Sequence, residues 1–293
     1  MEGEGLSTAA RKTRVTFEMI KFSHTIFALP FALLSAFLAA GGTPAPWTLA
    51  WILGAMVGAR SAAMAFNRLV DAAFDARNPR TEGRALPAGD VDRGYVVMFT
   101  LASVGLFVVS AAMLNPLCLA LSPAALAVIL GYSFTKRFTA GSHFVLRLGL
   151  GIAPAGAWIA VTGGLTLLPV VLSGVVMLWT AGFDVIYACQ DVDIDRREGL
   201  HSIPARLGVA PALWLSRFLH GVVVLVLAAL PVLEPRFGWI YGCGVGIVVA
   251  VLFYEHHLVR ANDLSRVDAA FFTMNGIVSV VLAASVIAEV VQP

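Results

Sequence analysis

Long apolar stretches separated by short breaks dominate the pattern of this chain. Each stretch runs for about twenty residues, the length at which an α-helix crosses a lipid bilayer. The breaks near 41–46, 115–116, 163–165 and 233–237 are short and nearly uncharged, whereas the other breaks are long and charged. The pattern predicts nine transmembrane helices, at 19–40, 47–72, 95–114, 117–134, 144–162, 166–189, 209–232, 238–257 and 268–290.

The composition agrees with this pattern. Only 13% of the 293 residues are charged and 59% are hydrophobic, whereas a soluble domain carries about 25% charged residues. No linker or low-complexity segment marks a second domain. We therefore expect an all-α integral membrane protein, a single bundle of nine transmembrane helices forming one domain over 1–293, with a polar segment at 1–16.

The distribution of positive charge predicts the orientation of the bundle. Of the 20 Lys and Arg residues, only Arg236 falls in the short, nearly uncharged connections. Because loops rich in Lys and Arg stay in the cytoplasm, we expect the N-terminus and the charged connections on that side. The expected location is the inner (cytoplasmic) membrane of the cell, as a multi-pass protein whose active site faces the cytoplasm.

Two other classes of function are excluded by charge and cysteine spacing. The net charge is +2, and no basic stripe interleaved with aromatic residues suggests nucleic-acid binding. Cys118, Cys189 and Cys243 lie in separate apolar runs without a CxxC spacing, so neither a disulfide framework nor a thiolate metal site is indicated.

The end of the second predicted helix carries the first candidate site. Asn67, Asp71 and Asp75 follow one another at four-residue steps, which place all three on one helical face. Carboxylate and amide oxygens are ligands of hard divalent cations, which share their remaining positions with water and substrate phosphates. This face therefore suits a complex of Mg²⁺ with a diphosphate, although Mn²⁺ takes the same oxygens.

The end of the sixth predicted helix repeats the arrangement. Asp191 and Asp195 are again four residues apart, and Tyr187 takes the place that Asn67 holds in the first motif. Both ends are expected on the cytoplasmic side, facing each other across one cavity and holding two ions against one diphosphate. The alternative is that the acids only solvate helix ends. Against it, the acids begin within apolar helix, where ionisable groups are costly and tend to be functional.

Cationic side chains for a diphosphate lie between the two motifs in the sequence. Arg80 and Arg84 lie in the loop after the first motif, and a guanidinium binds phosphate oxygens bidentately. Tyr132 and Lys136, one turn apart at the end of the fourth predicted helix, add a phenol and an ammonium group. The other interpretation of Lys136 is a positive anchor at the membrane surface.

These motifs together resemble those of the UbiA superfamily of membrane prenyltransferases. Asn67xxxAsp71xxxAsp75 resembles its first motif, Asp191xxxAsp195 its second, and Tyr132xxxLys136 the tyrosine–lysine pair between them. The loop from Arg80 to Gly89 and the stretch from Gly199 to Pro204 look like the 4-hydroxybenzoate polyprenyltransferase group. The run from Ala63 to Thr81 looks closer to the menaquinone branch, whose acceptor is a dihydroxynaphthoate.

The resemblance implies a reaction and a set of partners. Mg²⁺ and arginines would stabilise a leaving diphosphate while an electron-rich ring attacks the allylic carbon. The implied partners are a polyprenyl diphosphate, a small aromatic carboxylate acceptor and membrane lipid. The implied catalytic residues are Asp71, Asp191, Tyr132 and Lys136; the implied substrate-binding residues are Arg60, Arg80, Arg84, Lys136, Asp184 and Tyr187; and the implied metal ligands are Asn67, Asp71, Asp75, Asp191 and Asp195.

Several alternatives stay open at this stage. Arg60, two turns below Asn67, is a candidate for the acceptor carboxylate or a structural partner of Asp184, and Asp184 is equally a candidate for orienting the acceptor hydroxyl. The histidines near helix ends share no ligand spacing and are expected at the membrane interface: His143, His201, His220, His256 and His257. Haem, chlorophyll or lipid acceptors would use the same metal motifs. A transporter would also contain intramembrane acids, although near mid-span.

Overall fold

A computed structural model describes residues 15–16, 18–19 and 28–292 of the chain. Helices make up nearly all of the described chain. We number the nine longest in chain order. They are α1 (Leu29–Ala40), α2 (Pro46–Asp75), α3 (Arg93–Leu114), α4 (Pro116–Thr135), α5 (Ser142–Thr162), α6 (Leu167–Ala188), α7 (Val209–Ala229), α8 (Trp239–Leu258) and α9 (Asn275–Val291).

The all-helical membrane fold is confirmed. Within the described ranges, eight helices are long and apolar enough to cross a membrane, and α1 is a shorter apolar helix. The beginning of the predicted helix 19–40 lies outside the described residues, apart from residue 19. The count of nine spans and the orientation of the N-terminus therefore stay predictions.

Local sequence signals explain where several helices begin. Pro46 and Pro116 occupy the first turns of α2 and α4, where a missing backbone N–H costs nothing. Asp92 and Asn115 cap α3 and α4 by accepting hydrogen bonds from the backbone N–H groups of Tyr95, at 2.8 Å, and Cys118, at 2.9 Å.

Several helix bounds differ from the predicted ones, and three of these differences concern a motif or the type of helix. Helix α2 continues past 72 to Asp75, so one helix carries the whole first motif. Helix α6 ends at Ala188, and the second motif lies on a 3₁₀ turn (Cys189–Asp191) followed by a short helix (Val192–Arg197). A π-helical turn (Ala270–Met274) precedes α9. Hydropathy does not distinguish these turns from α-helix.

Small residues allow the closest helix pairs to form. A Cβ atom on Gly58 would lie 2.7 Å from the backbone nitrogen of Phe107, so α2 approaches α3 backbone to backbone. A Cβ on Gly151 of α5 would similarly lie 2.9 Å from the carbonyl oxygen of Ser173 of α6. Such close approach is how membrane helices associate when lipid provides no hydrophobic drive.

The charged connections meet at one end of the bundle. Arg80, in the connection after α2, binds Asp191 after α6, and Arg77 binds Glu198 with 2.7 Å between nitrogen and oxygen. Lys136, at the end of α4, reaches Asp195. These ion pairs join three separate connections around the mouth of one cavity.

Candidate active site

A cavity of about 300 Å³ opens at this charged end of the bundle. It lies between the ends of α2, α4 and α6 and the beginning of α5. Its walls contain every candidate site residue expected from the sequence: Arg60, Asn67, Asp71, Asp75, Arg80, Arg84, Tyr132, Lys136, Asp184, Tyr187, Asp191 and Asp195.

The first motif forms one polar face of α2, as its spacing predicts. The side-chain amide of Asn67 donates to Asp71 at 2.8 Å. Asp75 accepts two hydrogen bonds from one amino group of Arg84, at 2.7 and 2.8 Å, and Arg68 approaches the same carboxylate to 3.6 Å. Guanidinium groups therefore neutralise the carboxylate at the helix end.

Asp191 in the second motif is bound by an arginine that follows the first. Arg80 forms a two-pronged contact with Asp191, at 2.9 Å through Nε and 2.6 Å through Nη2. Its Nη1 donates to the hydroxyl of Tyr187 at 3.2 Å. Burial alone would lower the pKa of Arg80, but the hydrogen bonds and charge of Asp191 raise that pKa above its usual value. Arg80 thus stays charged and joins the two motifs.

Asp195 is the most deeply enclosed acid of the two motifs. Its side chain is only 1% exposed, and its Oδ1 lies 2.6 Å from the Lys136 ammonium. Its other oxygen, Oδ2, is buried and has no hydrogen-bond partner within the part of the chain that the structure describes. A buried carboxylate oxygen without a donor is unfavourable, and a cation would satisfy it.

The donor set fits a divalent cation only when a ligand contributes to it. Among the described residues, no three acidic, histidine or cysteine side chains are grouped closely enough to hold an ion by themselves. The acids of both motifs instead face Arg68, Arg80, Arg84, Lys136 and Arg137. Oxygen donors from two motifs, completed by phosphate oxygens, are the arrangement Mg²⁺ prefers.

The deep end of the cavity contains a buried ion pair between α5 and α6. Asp184 accepts from Arg147 through one carboxylate oxygen and contacts Nδ1 of His143 at 2.7 Å through the other. Arg60 lies near this group and interacts electrostatically with Arg147 and Tyr132. The guanidinium of Arg147 also lies over the ring of Phe183, with its carbon 5.1 Å from the ring centre.

Comparison with known proteins identifies the family of this chain. The sequence profile of the UbiA prenyltransferase family matches residues 28–277. This chain belongs to the UbiA family. It is therefore a multi-pass membrane enzyme, a prenyltransferase, and the transporter hypothesis is set aside.

Two relatives of this UbiA chain are both named 4-hydroxybenzoate octaprenyltransferase. The protein from Methylobacillus flagellatus is 30% identical over 81% of this chain and 80% of its own length. The protein from Aeromonas salmonicida is 31% identical over 86% of each chain.

Solved UbiA structures share the fold. The apo structure of a homologue from Aeropyrum pernix is 33% identical, with a TM-score of 0.82 over 91% of this chain and 98% of that one. A homologue from Archaeoglobus fulgidus, solved with DMAPP and Mg²⁺, is 17% identical, with a TM-score of 0.74 over 94% of this chain and 98% of the other. The latter likeness shows the fold alone.

The structure corrects one expectation about this UbiA cavity and decides an alternative. His143 is buried, 6% exposed, and bound to Asp184 rather than placed at the membrane interface, because α5 turns this face toward α6. His220 is also buried, 2% exposed, with its Nε2 3.0 Å from the carbonyl oxygen of Trp179. Asp184 is paired with Arg147, which the sequence reasoning did not name, and not with Arg60. The available signal was the four-residue step from His143 to Arg147 within an apolar helix. Arg68 was also missed, although it is an ionisable group in an apolar span.

Proposed function

We propose that this chain catalyses the Mg²⁺-dependent transfer of a polyprenyl group from polyprenyl diphosphate to a small carboxylated aromatic acceptor in quinone biosynthesis. The acceptors considered are 4-hydroxybenzoate and 1,4-dihydroxy-6-naphthoate. The observation that carries the proposal is the meeting of two acidic motifs with Arg80, Arg84 and Lys136 around one cavity. The names of the relatives support the first acceptor.

The ion pairs supply a chemical logic for substrate binding. Arg80 and Arg84 bind the carboxylates that would bind the metal, and the same guanidiniums are suited to phosphate oxygens. When a diphosphate binds with its cations, Arg80, Arg84 and Lys136 would turn from the carboxylates to phosphate oxygens. The carboxylates of Asp75, Asp191 and Asp195 would then be free to hold Mg²⁺. Each carboxylate would have a cationic partner in both states, which avoids leaving a buried charge unpaired.

The residues then have separable tasks in the reaction. When bound, Mg²⁺ supplies Lewis-acid neutralisation of the charge that develops on the leaving diphosphate. Asn67 and the acids of both motifs would hold it. Once the diphosphate is bound, Arg80, Arg84 and Lys136 would already lie beside the oxygens on which that charge grows. These side chains would then need to move little during the reaction. Tyr132 lines the same cavity and lies close enough to Arg60 to interact with it electrostatically.

A second cavity offers a place for the prenyl chain. It has a volume of about 500 Å³ and is lined by apolar side chains of α2 to α5. Ala59 and Leu148 line it, while their neighbours Arg60 and Arg147 line the polar cavity. The two cavities thus share α2 and α5 as walls, and we infer that a prenyl chain in the apolar one would have its diphosphate end among the cations. An apolar wall also excludes water, which would capture an allylic cation as an alcohol.

The acceptor occupies the deep end of the polar cavity in this proposal. Arg60 lies seven residues below Asn67 on α2, about 10 Å along the helix axis. That separation spans a substituted benzene ring, so Arg60 holds the acceptor carboxylate while the ring's other end faces the diphosphate. A small carboxylated ring suits a polar cavity of about 300 Å³ better than the larger haem, chlorophyll or lipid acceptors would.

The orientation in the membrane belongs to the same proposal. The charged connections at the cavity mouth satisfy the positive-inside rule if this face is cytoplasmic. We place the enzyme in the inner membrane with its active site toward the cytoplasm, where both water-soluble acceptors are found.

An assay in membranes tests the function. A labelled long-chain prenyl diphosphate is supplied with 4-hydroxybenzoate or 1,4-dihydroxy-6-naphthoate, each with Mg²⁺ or with chelator. We expect Mg²⁺-dependent prenylated product from one acceptor. Absence of product from both, with a haem or lipid acceptor prenylated instead, would overturn the proposed acceptor class and leave the family unchanged.

A further inference from the structure

Arg147 is a buried guanidinium on the cavity wall with donor capacity left over. The residue is 8% exposed and lines the polar cavity from α5. One amino group binds Asp184. Its Nε is buried and has no hydrogen-bond partner in the described ranges. An unsatisfied donor on a buried charged group is costly unless a ligand accepts from it.

A chain of hydrogen bonds fixes the position of this arginine. The backbone N–H of Ile203 donates to Nε2 of His143, with the two nitrogens 3.4 Å apart. Nε2 is therefore an acceptor, and the proton of the neutral ring lies on Nδ1, which donates to Asp184 at 2.7 Å. Asp184 in turn accepts from Arg147. The arrangement thus connects the segment after the second motif to one guanidinium in the cavity.

Charge at the deep end favours an anion there. Arg147 and Arg60 act on each other electrostatically, and like charges in a poorly hydrated site repel strongly. Asp184 offers its negative charge mainly to Arg147, because it contacts that guanidinium directly, while His143 is neutral in the tautomer described above. One carboxylate placed between the two arginines would reduce their mutual repulsion and accept from the unsatisfied Nε of Arg147.

We propose that Arg147 is a second ligand of the acceptor carboxylate, opposite Arg60, and that His143 and Asp184 are positioning residues that hold it. This inference rests on the proposed function, since it requires a carboxylated acceptor. It assigns specificity for an anionic acceptor to α5, in addition to the motifs on α2 and α6. The competing explanation is that Arg147 and Asp184 only join α5 to α6.

A comparison of two acceptors in two proteins separates these explanations. The wild-type chain and Arg147→Gln are assayed with whichever acceptor the wild type prenylates and with its carboxamide, which keeps the shape but removes the charge. A charge-assisted hydrogen bond in a buried site corresponds to about 10- to 100-fold in kcat/KM. We expect the wild type to prefer the carboxylate, and Arg147→Gln to lose about tenfold or more of that preference while its KM for prenyl diphosphate is unchanged.

A purely structural role would lower activity with both acceptors by the same factor, and an unchanged preference in Arg147→Gln would overturn the inference while leaving the proposed function intact. A wild-type chain that prenylates no carboxylated acceptor would overturn both. Arg147→Lys, which keeps the charge, should retain more of the preference than Arg147→Gln.

Binding measurements cover the case in which Arg147→Gln does not turn over. Calorimetric titration of the detergent-solubilised proteins with the acceptor and with its carboxamide should show lost affinity for the carboxylate only. Equal loss for both ligands would count against the proposal. His143→Gln should raise the KM for the acceptor more than it lowers kcat, because it loosens Arg147 without removing it.

Discussion

Replacing Asp191 by alanine should separate activity from stability. The carboxylate of Asp191 belongs to the proposed metal site, and its only ion pair in the described chain is with Arg80, whose side chain is 35% exposed. The freed guanidinium can be hydrated, so loss of the pair should cost about 1 kcal/mol or less of unfolding free energy. That corresponds to a fall in Tm of roughly 2 to 4 °C.

The effect on turnover should be far larger. Loss of one preorganised charge contact to a reacting group commonly lowers kcat by about 10²- to 10³-fold, and Asp191→Ala also releases Arg80 from its position. We expect kcat/KM to fall about 10³-fold or more in a Mg²⁺-dependent assay of product formation. Asp71→Ala should behave in the same way.

Asp193 provides the matched control for this experiment. It lies two residues away, is exposed, and does not line the cavity. Asp193→Ala should leave both activity and Tm close to those of the wild type. The reasoning is refuted if Asp191→Ala keeps more than a tenth of wild-type activity, or if Asp193→Ala loses as much as Asp191→Ala.

Three further predictions concern other parts of the molecule. Arg60→Gln should raise the KM for the acceptor about tenfold or more without changing the KM for prenyl diphosphate. Steady-state kinetics with each substrate varied in turn measure both constants, and an increase in the KM for prenyl diphosphate instead would contradict this prediction. Gly58→Ala should lower Tm, because its Cβ would meet the backbone of α3 at 2.7 Å, whereas Gly105→Ala, with open space around it, should not; equal shifts would contradict the close packing. Hydrogen bonding to Arg236 lowers the pKa of Glu234, so the stabilising contribution of this pair is present at neutral pH and lost as pH falls below about 4.5, the ordinary value. The Tm difference between wild type and Glu234→Gln should accordingly shrink on acidification, and a difference that grows would reverse the sign of the argument.

The sequence was sufficient to predict the parts of the site that depend on one helix. Four-residue spacing places Asn67, Asp71 and Asp75 on a common face whatever surrounds them. The second motif follows the first by four spans, an even number, so Asp191 is expected at the same end of the bundle. Both expectations needed only helical geometry and the alternation of charged and uncharged connections.

The parts that depend on neighbouring helices were not predictable in this way. Hydropathy does not say that α5 packs on α6, or at which register, so the partner of Asp184 could not be chosen between Arg60 and Arg147. The 3₁₀ turn at Cys189–Asp191 was also not predictable, because hydropathy shows where an apolar run ends but does not distinguish a 3₁₀ turn from α-helix. His143 was misplaced because it is buried by contacts with α6 and with the segment around Ile203, both of which are distant in sequence.

The central claim is that both acidic motifs hold one metal–diphosphate complex, and Mn²⁺ binding followed by electron paramagnetic resonance tests it without requiring turnover. Mn²⁺ takes the same oxygen ligands as Mg²⁺. The detergent-solubilised wild-type chain should bind Mn²⁺ more tightly when an unreactive prenyl diphosphate analogue is added, and Asp75→Asn and Asp195→Asn should each abolish that gain. A gain that survives both substitutions would contradict the account.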